Sequence, residues 1–179
     1  GNENLKYSSL HQIDTSNYDQ LGIAWIYYSE NKDSTKFGPM ECNPIVVDGV
    51  MYGVSPKLKL FALNAATGKE LWTFNPADSV ANKKWHRNSV NMNRGVAYWA
   101  NGNDKRIIYT VGPIVFSVNA LTGSLVKSFG QEGGINLVNG LDRNPDKLFV
   151  APTSPVMVYK NLFFVSGLVG DETPGHIRA

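Results

Sequence analysis

Cysteine is almost missing from this chain: Cys42 stands alone among 179 residues, which excludes an internal disulfide framework and any cysteine-rich zinc site. Long apolar runs are missing too. No stretch approaches the roughly 20 apolar residues that a membrane-crossing helix needs, and the polar start Gly1–Lys6 has no apolar signal-peptide core. The expectation is that export is either absent or directed by a signal already removed. Charge of one sign is nowhere concentrated: 17 basic residues against 15 acidic ones give +2, with no Lys/Arg block to track a phosphate backbone. Nucleic acid is therefore not an expected partner. Helical spacing of apolar residues is also lacking. Neither a Gly-x-Ser-x-Gly elbow nor a His-Glu-x-x-His pair occurs, which argues against a hydrolase.

What is present is a soluble globular composition, 42% hydrophobic and 18% charged, in a chain long enough to bury a core. Its apolar residues form runs of about five to seven, rich in Val, Ile, Tyr and Phe and cut by Gly, Pro, Asn and Asp. That pattern predicts an all-β fold with strands over Leu21–Ser29, Asn43–Val47, Val50–Val54, Leu60–Asn64, Glu70–Phe74, Gly95–Trp99, Arg106–Val111, Ile114–Asn119, Leu125–Phe129, Pro155–Tyr159 and Leu162–Ser166. Asp48-Gly49 between two apolar arms is a strong hairpin signal, and Lys160-Asn161 is a weaker one.

An internal repeat sets the expected architecture. Leu60-Phe61-Ala62-Leu63-Asn64-Ala65-Ala66-Thr67-Gly68 is echoed by Val115-Phe116-Ser117-Val118-Asn119-Ala120-Leu121-Thr122-Gly123, an offset of 55 residues. A period of that size built from four short strands is the mark of β-propeller blades, which bury both faces only by stacking on neighbours. Ala-x-Thr-Gly is read as the turn between a blade's third and fourth strands. Trp72 then falls on a fourth strand, Trp25 on the same strand of an earlier blade, and Lys127 takes that place in the second repeat. The expected division is a leading segment and outer strand over 1–42, a first blade and long loop over 43–93, a second blade over 94–152 and a partial third over 153–179. About two and a half blades do not close a ring of roughly four to eight. The expectation is a piece of a longer protein, completed by further blades, by copies of itself or by another chain. The loop Pro76–Asn93, rich in Asn, Lys and Ser, is the main interruption of the strand rhythm.

Beyond periodicity, certain stretches resemble a known family. In order, they are Tyr7-Ser8-Ser9-Leu10-His11-Gln12-Ile13, Ala24-Trp25, Asn43-Pro44-Ile45-Val46-Val47-Asp48-Gly49, Asn93-Arg94-Gly95-Val96-Ala97-Tyr98-Trp99, Thr153-Ser154-Pro155 and Pro174-Gly175-His176-Ile177-Arg178-Ala179. Together they resemble the quinoprotein alcohol and glucose dehydrogenases, periplasmic propeller enzymes that use pyrroloquinoline quinone (PQQ) and calcium. The resemblance implies an eight-bladed ring, of which this chain is the first part.

It also implies site residues. PQQ is a planar ortho-quinone with three carboxylates, so its pocket needs cationic and hydrogen-bonding groups around a flat apolar slot. Arg94 matches the family arginine that contacts the quinone, where a planar fork of donors suits paired oxygens better than lysine. The competing reading is a surface arginine in an ordinary ion pair. Glu41 matches a glutamate beside the cofactor carboxylates, which must share a proton with them or lean on Arg94. Its competing reading is a solvated loop carboxylate. Thr110, or Tyr109 if the register slips by one, matches a hydroxyl that hydrogen-bonds a cofactor carboxylate. Glu172, or Asp171, matches a glutamate that supplies oxygens to calcium. Asn88-Ser89 stand where the alcohol branch has adjacent cysteines, so that disulfide cannot form; Val90 falls where the glucose branch has a histidine that covers the ring, with His86 four residues earlier. By elimination the resemblance favours the sugar-oxidising branch.

The implied reaction is hydride transfer from a sugar or alcohol to the quinone, with electrons passing on to an acceptor such as a cytochrome or the quinone pool. The aspartate base lies in later blades, so residues 1–179 alone are expected to be inactive. Two rivals stand beside this reading. One is a non-catalytic propeller scaffold for protein partners, which shares the Ala-x-Thr-Gly repeat; the other is a degenerate paralogue. In a scaffold Glu41, Arg94 and Glu172 would be dispersed, whereas in a dehydrogenase they converge.

Overall fold

A computed structural model describes residues 10–29, 40–79, 92–141 and 150–167. Strands β1 (Ile45–Val47), β2 (Val50–Val54), β3 (Leu60–Asn64) and β4 (Glu70–Phe74) form one four-stranded sheet in chain order. A second has β5 (Ala97–Asn101), β6 (Asp104–Val111), β7 (Ile114–Asn119) and β8 (Gly134–Asn136), and a two-stranded unit pairs β9 (Met157–Tyr159) with β10 (Leu162–Phe164). Every pair within these sheets is antiparallel. The fold is all-β, built of propeller blades.

Local chemistry accounts for the turns. Asp48 and Gly49 take φ of 50° and 76°, the left-handed pair that matches the twist of a two-residue hairpin and joins β1 to β2. At the repeated turns an asparagine side chain replaces the missing ladder. Asn64 Oδ1 accepts from the N–H groups of Ala66 and Thr67, both at 3.0 Å, and Asn119 Oδ1 accepts from Leu121 and Thr122 at 2.9 and 3.0 Å.

Packing explains why the apolar runs are continuous rather than alternating. Leu60, Phe61, Ala62 and Leu63 of β3 are all buried, as are Ile114, Val115, Phe116 and Val118 of β7. A strand covered on both faces carries mainly apolar side chains on both, the buried Ser117 being the polar exception in β7. Tyr52, Leu60 and Ala62 share one core with Ile107, Tyr109, Phe116 and Val118 of the second sheet, while Ile108, Val115 and Val156 join the second sheet to the third unit. Phe74 meets Tyr109 and Phe116 edge-on, at ring separations of 6.4 and 5.8 Å.

Tryptophans lock one unit onto the next by a contact used twice. Trp72 Nε1–H donates to the Ala120 carbonyl at 3.1 Å, and Trp25 Nε1–H donates to the Ala65 carbonyl at the same distance. Both carbonyls lie in the repeated turns, and each ring covers the glycine that ends its turn, Gly123 and Gly68 respectively. The spacing shared by the two copies of the repeat thus serves a dock between units, not only a local turn.

Two expected strands do not form as ladders among the described residues, and others shift at their ends, as Gly95–Trp99 does to Ala97–Asn101. Leu21–Ser29 carries Trp25 to its dock and Tyr27 to a 2.7 Å hydrogen bond with Glu70, yet it joins no ladder among the described residues. Leu125–Phe129 makes only an isolated bridge, Leu125 to Val118, and the fourth strand of the second sheet is Gly134–Asn136. Between them the chain leaves the ladder through Gly130, Glu132 and Gly133, all with positive φ, and Phe129 turns to pack on Phe163 at 5.8 Å. The third unit is shorter than predicted, its ladder beginning at Met157 rather than Pro155 and ending at Phe164 rather than Ser166.

Candidate cofactor-binding site

Among the described residues, successive units meet backbone to backbone along one edge. That contact is made by the segments that lead into β1, β5 and β9. Asn43 N–H donates to the Arg94 carbonyl at 3.1 Å, Asn43 pairs in parallel with Gly95, and Arg94 N–H donates to the Thr153 carbonyl at 3.0 Å. A Cβ at Gly95 would lie 2.9 Å from the Pro155 ring, so only glycine permits this approach without displacing the proline. Three successive units therefore converge at Asn43, Arg94 and Thr153.

At this convergence Arg94 Nε lies 3.5 Å from Glu41 Oε2, with the two side chains 53% and 35% exposed. A pair so solvated contributes little to stability, of order 0–1 kcal/mol. Its consequence is positional: a cation and a carboxylate, 53 positions apart in sequence, are presented together where the units meet. Arg94 has no other side-chain partner among the described residues, so its terminal donors are not committed to the protein there.

The two hydroxyl candidates behave differently. Thr110 is buried, and its Oγ1 donates to the Pro152 carbonyl at 3.2 Å. A hydroxyl has one proton, and this one ties β6 to the third unit. Tyr109 is fully buried 3.5 Å from the Leu58 carbonyl, and burial pushes its phenol well above the usual tyrosine range. Val90, His86, Asn88, Ser89, Asp171 and Glu172 lie outside the described residues. No group of three or more His, Cys, Asp or Glu side chains gathers into a metal-binding cluster among the described residues.

Sequence reasoning passed over two neighbours of this pair. Asn93 is buried, donating Nδ2–H to the Thr110 carbonyl at 3.1 Å and accepting the Gly95 N–H at 2.9 Å. Cys42 is buried between Glu41 and Asn43, its Sγ accepting the Val54 N–H at 3.3 Å. Burial raises its thiol pKa, with the Val54 hydrogen bond acting the other way. The thiolate is thus scarcer than for an exposed cysteine, and its path to reagents is blocked. Cys42 in the folded protein is expected to react with an aromatic disulfide reagent at pH 8 at least about a hundredfold more slowly than after unfolding. Equal rates would show that the site opens freely.

The whole chain, residues 1–179, matches the family described as "PQQ: Glucose/ethanol/alcohol dehydrogenase, beta-propeller domain". The chain belongs to that family. It is 35% identical over 124 residues to a quinohemoprotein alcohol dehydrogenase of Pseudomonas putida, covering 69% of this chain and 16% of that protein. It is 29% identical over 196 aligned positions to the quinoprotein glucose dehydrogenase of Escherichia coli, covering 98% of this chain and 24% of that enzyme. The crystal structure of quinohemoprotein alcohol dehydrogenase from Comamonas testosteroni superposes with a TM-score of 0.67 at 25% identity, covering 90% of this chain and 21% of that one. The chain thus spans less than a quarter of each of these relatives.

The described donor set fits a PQQ-type ligand at one edge. A half-exposed arginine side chain whose terminal donors are uncommitted among the described residues suits a carboxylate or a pair of quinone oxygens. The Glu41 carboxylate lies beside it at 3.5 Å.

Proposed function

We propose that this chain contributes the first blades of the propeller of a PQQ-dependent dehydrogenase that oxidises a sugar or alcohol and passes electrons to an acceptor such as a cytochrome or the quinone pool. The observation that carries the reading is the convergence of Glu41 and Arg94 where three blade units meet, at 3.5 Å. Bound PQQ would supply the two-electron acceptor that the protein's own side chains lack. Arg94 would hold an anionic or quinone oxygen, Glu41 would keep the guanidinium in place, and Thr110 would act through the backbone it ties down, its proton being held by Pro152. An oxygen-liganded calcium ion belongs to the same reading, with Glu172 as its candidate ligand, and Val90 is the candidate apolar cover. Blade units over 43–93, 94–152 and 153–179, and a periplasmic location, complete the proposal. The absence of adjacent cysteines supports the sugar branch, and the match to the glucose enzyme runs over nearly the whole chain.

Titration of PQQ with calcium into the full-length protein tests this, read by equilibrium dialysis and by melting temperature. Saturable binding at one site is expected, with a melting temperature that rises with PQQ concentration because a ligand of the native state stabilises it by mass action. A folded protein that binds no PQQ under these conditions would favour the scaffold reading.

A further inference from the structure

An arginine can be aimed by a residue that never touches its ligand. Asn93 has the geometry for that role. Its Oδ1 accepts the Gly95 N–H at 2.9 Å, closing a side-chain-capped turn with Arg94 at its centre, and its Nδ2–H donates to the Thr110 carbonyl at 3.1 Å, tying that turn to β6. Arg94's own main chain is held from both sides, by Thr153 on its N–H and by Asn43 on its carbonyl. The root of the side chain is thus fixed by hydrogen bonds from different units of the fold. Among the described residues the guanidinium, by contrast, has only the long, half-exposed contact with Glu41. The order that a ligand would exploit must come from the backbone end.

We propose that Asn93 is a positioning residue, whose buried amide sets the direction of Arg94 for an oxyanion ligand at the convergence of the blades. The inference rests on the reading of Arg94 as a PQQ contact. An amide is the group required, since the two bonds need one donor and one acceptor on the same short side chain. Serine can still accept the Gly95 N–H but is too short to reach Thr110. Alanine can do neither. Preorganising a binding group lowers the ordering cost otherwise charged to affinity, so the loss should appear in ligand binding and not only in stability.

A double-mutant cycle in the full-length protein decides it, with the PQQ dissociation constant measured by equilibrium dialysis well below each variant's melting temperature. Asn93→Ala is expected to weaken binding about tenfold when Arg94 is present, and by less than about twofold in an Arg94→Ala background, because residues acting through one another are not additive. An equal factor in both backgrounds would show that Asn93 supports the fold without aiming the arginine, and would overturn the proposal while leaving Arg94 as a contact. An Arg94→Ala protein that binds PQQ as tightly as the parent would overturn the reading of Arg94 itself, and the proposal with it. If Asn93→Ala does not fold, Asn93→Ser takes its place, with weakening of about threefold expected only when Arg94 is present; no weakening, or the same weakening in both backgrounds, counts against the proposal.

Discussion

Replacing Arg94 with alanine is expected to weaken PQQ binding by about 30- to 150-fold. Truncating one member of a hydrogen-bonded charge pair costs about 2–5 kcal/mol when the pair is buried. The Arg94 side chain is 53% exposed, so the lower part of that range applies, about 2–3 kcal/mol, at 1.4 kcal/mol per factor of ten. Arg94→Lys should fall between the two, keeping the charge and losing the planar pair of donors. Stability should change little, because an ion pair as solvated as Arg94 with Glu41 is worth at most about 1 kcal/mol. The discriminating result is therefore a large change in dissociation constant with a melting temperature close to the parent's. The reverse pattern would make Arg94 a structural residue.

Gly123→Ala and Gly68→Ala are each expected to cost about 2–4 kcal/mol of stability. Both glycines have positive φ, +72° and +70°, where a Cβ costs about 1–2 kcal/mol. A second cost is steric. The new Cβ at residue 123 would sit 2.7 Å from the Trp72 ring, and at residue 68 it would sit 2.5 Å from Trp25. Neither ring can withdraw freely, because its Nε1–H is bonded to the carbonyl of Ala120 or Ala65 in the same turn. Overpacking of this kind costs about 1–3 kcal/mol, partly offset by the lower entropy of an unfolded alanine. Urea denaturation of the parent and the two variants checks the sum. A loss below about 1 kcal/mol would mean that the tryptophans slide aside and the dock is looser than drawn.

These two predictions differ in how much of their basis was visible before any coordinates. The repeated Asn-Ala-x-Thr-Gly turn was legible because its asparagine and glycine act on neighbours two to four positions away. Trp25 and Trp72 were legible as matching positions, but the carbonyls that they seek lie 40 and 48 residues away. Leu125–Phe129 misled because its composition suits a strand, while its destination depended on the glycines that follow and on Phe163, a partner from another unit. For the site, Arg94 and Glu41 were marked by resemblance, whereas Asn93 stood in the resembling stretch with no role of its own. Nothing in a lone asparagine shows that both ends of its amide are buried and engaged.

Unaided, the order of residues determined an all-β chain, its Asp48-Gly49 hairpin and a repeating turn chemistry, because these depend on backbone preferences and on bonds spanning a few positions. Only the tertiary structure decided that residues 41 and 94 lie side by side, that the Thr110 hydroxyl serves Pro152, and that β8 rather than Leu125–Phe129 completes the second sheet. Each of those outcomes turns on which distant group reaches a hydrogen-bond donor or an apolar face first, and stacking of the sheets settles that competition.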